Sequence, residues 1–255
     1  MWQIFNRPIF NRPQVANLRY KGVVTAVAIQ GVWKFYGDYP ALKDISLNVD
    51  GGSCLALIGR NGAGKTTLLR ILAGLSKAAK GTIAILGQDA RDENARRQIG
   101  VLGHGIGVYE ELSAFENLRL FAKLYGIANP KQKANEWLER TGLERVRDGL
   151  VREFSRGMRQ RLAVARTFLH NPSLLLLDEP FTALDDRAIA VLQDLLKTAL
   201  SEGRTIIMST HQLREALELA TDVALINRGK LAFSGPRTTE MLEDPAWLYR
   251  NYGEA

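Results

Sequence analysis

The sequence predicts an α/β fold whose core is interrupted by a helical insertion, and three observations predict it. The apolar run 53–58 passes through a glycine-rich turn into the apolar helix start 68–73. A second apolar run, 174–177, ends on two adjacent carboxylates, Asp178 and Glu179. Between them, from about residue 90 to 166, the apolar period becomes helical.

Each element has a local reason. Residues 28–49 alternate apolar and polar side chains around a turn at Tyr36-Gly37-Asp38, the pattern of antiparallel strands. The run 53–58 then reads as a buried strand. The turn that follows, Gly59-Arg60-Asn61-Gly62-Ala63-Gly64-Lys65-Thr66-Thr67, fits the spacing G-x-x-x-x-G-K-[ST]. Its glycines let the backbone wrap a triphosphate with no Cβ in the way. Its N–H groups and the N-terminus of the next helix face the anion. In such a loop Lys65 reaches the β- and γ-phosphates, and the Thr66 hydroxyl is a ligand for Mg²⁺. Residues 82–87 form another short strand. Helical patterns such as 114–125 follow, broken up by Pro130 and Gly142. The runs 174–177 and 205–208 are short strands separated by a helix over 188–200. Residues 223–226 and 230–233 flank Asn227-Arg228-Gly229, a hairpin signal.

The carboxylates belong at the C-terminal tip of a strand, the edge where open α/β sheets bind ligands. Asp178 is placed to hold Mg²⁺, directly or through water, and Glu179 to orient and polarise an attacking water. His211 follows the strand 205–208 and can sense a γ-phosphate and hold that water. In Phe154-Ser155-Arg156-Gly157-Met158-Arg159-Gln160-Arg161, a small Ser and Gly precede a helical run over 160–169. This is a second helix N-terminus able to grip phosphate. It lies in the insertion, so it is poorly placed to serve the nucleotide of its own chain.

Composition limits the alternatives. The 255 residues are 46% hydrophobic and 24% charged, which suits one α/β domain with a subdomain, or two small domains. No apolar run approaches the length needed to span a bilayer, and residues 1–8 lack the apolar stretch of a signal peptide. The single cysteine, Cys54, excludes an intrachain disulfide and suits a reducing cytoplasm. The net charge of +7 is concentrated: Arg7, Arg12, Arg19 and Lys21 sit in the first 25 residues with no acid, and removing them leaves +3. The rest has no basic stripe interleaved with aromatics, so nucleic acid is not expected as a partner. The basic stretch contains a direct repeat, Ile4-Phe5-Asn6-Arg7-Pro8 and Ile9-Phe10-Asn11-Arg12-Pro13, and reads as a poorly ordered extension over 1–26.

The order of phosphate loop, Ser-x-Gly helix start, acidic strand and histidine resembles the nucleotide-binding subunit of ABC transporters. It covers roughly residues 27–235. The resemblance implies a P-loop NTPase of ABC type with an N-terminal antiparallel β-subdomain and an inserted α-helical subdomain. It implies ATP hydrolysis with Mg²⁺ at the cytoplasmic face of the cell membrane, beside separate integral membrane subunits. In that family two subunits pair head to tail and sandwich two ATP molecules, and a homodimer is expected here. Ser155 and Gly157 would then grip the γ-phosphate on the other subunit's loop, and Asp185 would cross the interface. Tyr36 would stack on adenine, with Phe35 and Tyr39 close enough to compete.

Two positions depart from the family pattern. Phe154, Arg156 and Met158 replace three residues of the usual Leu-Ser-Gly-Gly-Gln. His104 stands where a Mg²⁺-bound Gln is usual, and imidazole nitrogen is a poor Mg²⁺ ligand, so a contact through water suits it better. The Leu102-Gly103-His104 run, together with 177–185, is similar to the ATPase subunit of cytochrome c maturation haem exporters. Drug, polysaccharide and ion exporters share the Phe-Ser-Arg-Gly-Met-Arg-Gln run. The expected division is an extension over 1–26, an ATPase domain over 27–240 with its helical subdomain at about 90–166, and a C-terminal tail over 241–255. The segment 105–112, glycine-rich with Ile106, Val108, Tyr109 and Leu112, is expected to receive a helix of the membrane subunit.

Overall fold

The computed structural model describes residues 19–20, 23–103 and 107–253. The expected extension therefore lies largely outside the described residues, as do His104, Gly105 and Ile106.

The chain opens with β1 (Arg19–Tyr20), β2 (Val23–Tyr36) and β3 (Tyr39–Asp50). The ladder between β2 and β3 closes at Tyr36↔Tyr39, around the expected turn. β2 starts at Val23, earlier than the expected onset near residue 27, because it is paired there with β1. β4 (Cys54–Ile58) leads through the glycine turn into α1 (Lys65–Leu72). β5 (Lys80–Ile85) and β6 (Gln88–Asp89) return to the first sheet, order β1-β2-β5-β6 with β3 on β2.

Next come α2 (Glu93–Arg97), β7 (Ile99–Leu102), α3 (Ala114–Leu124), α4 (Pro130–Arg140) and α5 (Arg156–Phe168). Ser113 caps α3 reciprocally with Glu116, and Pro130 opens α4 at a position that needs no N–H. The three longer helices share one core through Leu118, Ala134, Leu138 and Leu162, with Trp137 against Phe168 at 5.4 Å.

The α/β pattern then resumes with β8 (Leu174–Asp178), α6 (Asp186–Ser201), β9 (Thr205–Ser209), α7 (Leu213–Leu217), β10 (Asp222–Asn227) and β11 (Lys230–Pro236). The second sheet has the order β11-β10-β4-β9-β8-β7, and only the edge pair β10–β11 is antiparallel. β4, β8 and β9 are buried along their whole length. Their runs are continuously apolar because the pleat sends alternate residues into two cores. Cys54, Ala56 and Ile58 join the core shared with the helices, and Leu55 and Leu57 the core under the antiparallel sheet. The expected tail carries α8 (Thr239–Glu243) and α9 (Trp247–Tyr252), anchored by the buried Met241 and Leu248. It is packed structure rather than a free tail.

Candidate functional site

The parallel sheet aligns three strand tips. Leu57 of β4 and Asp178 of β8 both lie opposite Ser209 of β9, so the glycine turn, the carboxylates and the histidine segment open on one edge. Gly64, at φ 114°, begins α1; a Cβ there would lie 2.8 Å from the Ala41 carbonyl oxygen and 2.7 Å from Leu42 Cδ2. Only glycine fits, and its placement presents the first N–H groups of α1 to the turn.

Lys65 is buried, and its ammonium donates to the carbonyl oxygens of Gly59 at 2.8 Å and Arg60 at 3.4 Å. Burial lowers its pKa, while Glu179 and then Asp178 act to raise it. The Thr66 hydroxyl donates to Asp178 Oδ1 at 3.1 Å, and the Ser209 hydroxyl donates to the same oxygen. A small oxygen site is thus assembled from α1, β8 and β9. Hard oxygen donors suit Mg²⁺, which typically takes few protein ligands and completes its shell with water and phosphate oxygens. Among the described residues no group of three or more His, Cys, Asp and Glu gathers as a self-sufficient metal cage. The oxygens of Thr66 and Asp178, 3.1 Å apart, are a donor set whose chemistry suits Mg²⁺. Ser209 was not singled out from sequence; its signal is a hydroxyl at the C-terminal end of the strand Thr205–Ser209.

Glu179 adopts φ 53°, a left-handed conformation uncommon for a side-chain-bearing residue. Its N–H still donates to Ser209 O at 2.9 Å, but its side chain leaves the pleat. Glu179 Oε2 accepts from the His211 backbone N–H at 3.2 Å and meets His211 Nδ1 at 2.7 Å. The glutamate side chain is 12% exposed and the histidine 61%, so the pair has a sheltered carboxylate and an open imidazole.

Ser155 is the N-cap of α5 and accepts from Met158 N–H at 3.2 Å. A Cβ on Gly157 would stand 3.1 Å from the Ala183 carbonyl oxygen, bringing this helix start close to the loop that carries Asp185. Asp185 itself caps α6, accepting from Ala188 N–H at 2.8 Å. Gln160 Nε2 donates to Pro180 O, so α5 also reaches the segment just past Glu179. At the β2–β3 turn, Phe35 is stacked on Trp33, while Tyr36 and Tyr39 are exposed.

Beyond β7, Arg166 donates to Gly107 O and Val101 O at 2.7 and 2.9 Å, fastening both residues to α5. Asn117, fully buried, accepts from Tyr109 N–H and donates to Tyr109 O. Val108 tucks against the helical core, whereas Tyr109 is exposed and stacks on Phe121. The expected exposed apolar surface here is therefore divided, with Val108 facing inward.

A parallel sheet with a glycine turn, lysine, threonine and acidic strand end at one edge defines an α/β P-loop ATPase. Residues 42–182 match the family described as "ABC transporter", and the chain belongs to that family. It is similar to the Nod factor export ATP-binding protein I of Cupriavidus metallidurans, 38% identical over 81% of this chain and 70% of the relative. A solved ATP-binding subunit of an ABC transporter superimposes with a TM-score of 0.78 at 30% identity, covering 91% of this chain and 96% of that one. The ATP-binding cassette MJ0796, solved as a dimer in a post-hydrolysis state bound to ADP and Pi, superimposes with a TM-score of 0.77 at 26% identity, over 83% and 99%. Among the described residues no helix is long and apolar enough to cross a membrane.

Proposed function

We propose that the chain is the ATP-hydrolysing motor of an exporter, acting as a dimer beside separate integral membrane subunits at the cytoplasmic face of the membrane. The observation that carries this reading is the Glu179–His211 pair at 2.7 Å beside the Thr66–Asp178–Ser209 oxygen cluster. The loop Gly59, Arg60, Asn61, Gly62, Ala63, Gly64, Lys65, Thr66 and Thr67 wraps the triphosphate. Lys65 exchanges its carbonyl partners for phosphate oxygens. Tyr36, exposed and unstacked by Phe35, receives the adenine.

Glu179 orients a water and draws off its proton as the water oxygen bonds to the γ-phosphorus. The bond from that phosphorus to the bridging oxygen breaks, and ADP leaves with the electron pair. His211, with its proton on Nδ1, donates to Glu179 and keeps its carboxylate aimed. Thr66 and Asp178 would hold Mg²⁺, which would neutralise phosphate charge. Ser155, Gly157 and Asp185 complete the site of the other subunit.

Export is supported by the Cupriavidus relative, whose name is that of an export protein. Haem as cargo rests on the Leu102-Gly103-His104 run together with residues 177–185, and His104 is outside the described residues. The drug, polysaccharide or ion exporter class accords better with that relative, and cargo choice belongs to the membrane subunits.

Glu179→Gln tests the chemistry. It should keep ATP binding, lower turnover by roughly 10²–10⁴-fold, and trap an ATP-bound dimer. Near-normal turnover with the membrane partner present would remove Glu179 from its role.

A further inference from the structure

The hairpin that joins β10 to β11 turns at Asn227-Arg228-Gly229, and its backbone lies against the phosphate loop. At one end of the loop, a Cβ on Gly59 would lie 2.4 Å from Ile226 O. At the other, the Gly229 N–H donates to Ala63 O at 3.0 Å. Gly229 O in turn accepts from the Lys43 N–H at 2.7 Å. One glycine thus bonds the phosphate loop through its N–H and strand β3 through its C=O.

The strand is shaped for this contact. The β2–β3 register passes from Lys34↔Leu42 to Val32↔Ile45, a bulge in which Asp44 adopts φ 56° and the Lys43 N–H is left for the hairpin. Gly229 is buried at φ 81°, and a Cβ there would lie 2.7 Å from Ala41 O. The same Ala41 oxygen is the atom that a Cβ on Gly64 would meet at 2.8 Å. The backbone of β3 is therefore seated between the glycine that opens α1 and the glycine of the hairpin. Just upstream of Ala41 on that strand, Tyr39 closes the ladder with Tyr36.

We propose that Gly229 is a positioning residue of the nucleotide site, fixing the distance between the phosphate loop and the β2–β3 turn so that one ATP spans Lys65 and Tyr36 together. It touches neither base nor phosphate. The proposal rests on the reading of the glycine turn as the triphosphate site and of Tyr36 as the partner of adenine. The loop has closing contacts of its own: the Ala63 N–H donates to Arg60 O at 3.0 Å, and Lys65 holds Gly59 O at 2.8 Å. What the hairpin adds is the relation between the two ends of the ligand.

Gly229→Ala pushes β3 off the hairpin and leaves the loop residues unchanged. In the full chain, loss of one such hydrogen bond should weaken Mg-ATP binding about three- to tenfold in calorimetric titration, while Mg-tripolyphosphate, which has no base, should bind within about twofold of the parent. Gly203→Ala is the matched control. Gly203 has the same φ of 81°, nothing stands within 4 Å of a Cβ there, and it precedes β9 at the edge of the sheet away from the site. Both alanines should lower the melting temperature through backbone strain, but Gly203→Ala should leave both affinities alone. Unchanged Mg-ATP affinity in Gly229→Ala overturns the proposal. So do equal losses for both ligands, or the same loss in Gly203→Ala. If Gly229→Ala does not fold, amide hydrogen exchange on the unaltered chain decides. Saturating Mg-ATP should slow exchange at Gly229 and Lys43 and Mg-tripolyphosphate should not; no added protection from Mg-ATP overturns the proposal. Tyr36→Ala and Lys65→Ala, titrated in parallel, test the underlying reading. If Tyr36→Ala leaves Mg-ATP binding intact, or Lys65→Ala leaves Mg-tripolyphosphate binding intact, that reading has failed. If both weaken binding and Gly229→Ala does not, only the role of Gly229 has.

Discussion

Cys54 is fully buried in β4, a few residues ahead of the phosphate loop, and burial, helped by Asp222, pushes its thiol from an ordinary 9.0 up to about 12. The fold thus disfavours the thiolate. Between these two values the folded chain keeps a proton that the unfolded chain releases, so the stabilisation is whole below about pH 9 and is lost as pH rises toward 12. At pH 8 an aromatic disulfide reagent should leave the native chain unmodified and label it promptly in denaturant. In alkaline melts, Cys54→Ala should lose less stability than the parent between pH 9 and 12. Prompt labelling of the native chain would show that the strand opens to solvent. At this scale the sequence is legible where a residue type follows from chemistry. Lys65 and Thr66 follow from the loop spacing, and Asp178 from its strand end. The partners are less legible. The Glu179–His211 contact joins residues 32 apart, and the grip of Lys65 on Gly59 O depends on how the turn closes.

Helices α3 and α5 start alike, each capped by a serine whose hydroxyl accepts from the N–H three residues on. The Ser113 cap is reciprocal, since the Ser113 N–H donates to Glu116. The Ser155 cap has no glutamate at the matching position: Met158 stands there, and the first turn carries the exposed Arg156 and the half-buried Arg159, which is paired with Glu110 at 2.8 Å. A helix start with an exposed hydroxyl and no acid suits an incoming anion. Replacing either serine by alanine should cost about 1 kcal/mol. For a chain of this size the melting temperature should fall by about 2–4 °C in each case. Only Ser155→Ala should also lower ATP turnover in the assembled transporter. If Ser113→Ala lowers turnover equally, Ser155 acts as a cap and nothing more. Element identity was readable because periodicity and caps are local: α3 begins at the expected Ala114, and the β10–β11 hairpin is where Asn227-Arg228-Gly229 placed it. Residues 241–255 read as a tail because α8 and α9 are too short to show a period, and only tertiary packing of Met241 and Leu248 reveals them as structure.

Strand order is a property of the whole molecule and could not be read locally. Nothing in the apolar runs says that β9 lies between β4 and β8, yet that order brings Gly59, Asp178, Glu179 and His211 to one edge. The helix start at Ser155 belongs to a different part of the molecule, packed with α3 and α4 and turned toward the loop of Ala183 and Asp185. On the proposed reading one chain carries two surfaces for phosphate, and two chains paired head to tail would satisfy both at once. A dimer is also the form in which the cassette MJ0796, similar in fold, was solved. The composite arrangement predicts a difference that depends only on how two defects are distributed. With Lys65→Ala and Ser155→Ala in the same subunit of a heterodimer, one site lacks its lysine and the other lacks the serine opposite it, so neither is whole. With the defects in different subunits, one site lacks both groups and the other keeps both. Defined heterodimers, made with two affinity tags and assayed beside the membrane subunits, should hydrolyse ATP in the second arrangement at up to about half the parent rate. The first arrangement should fall well below it. Equal rates would mean that each subunit completes its own site, and the head-to-tail arrangement would have to be abandoned.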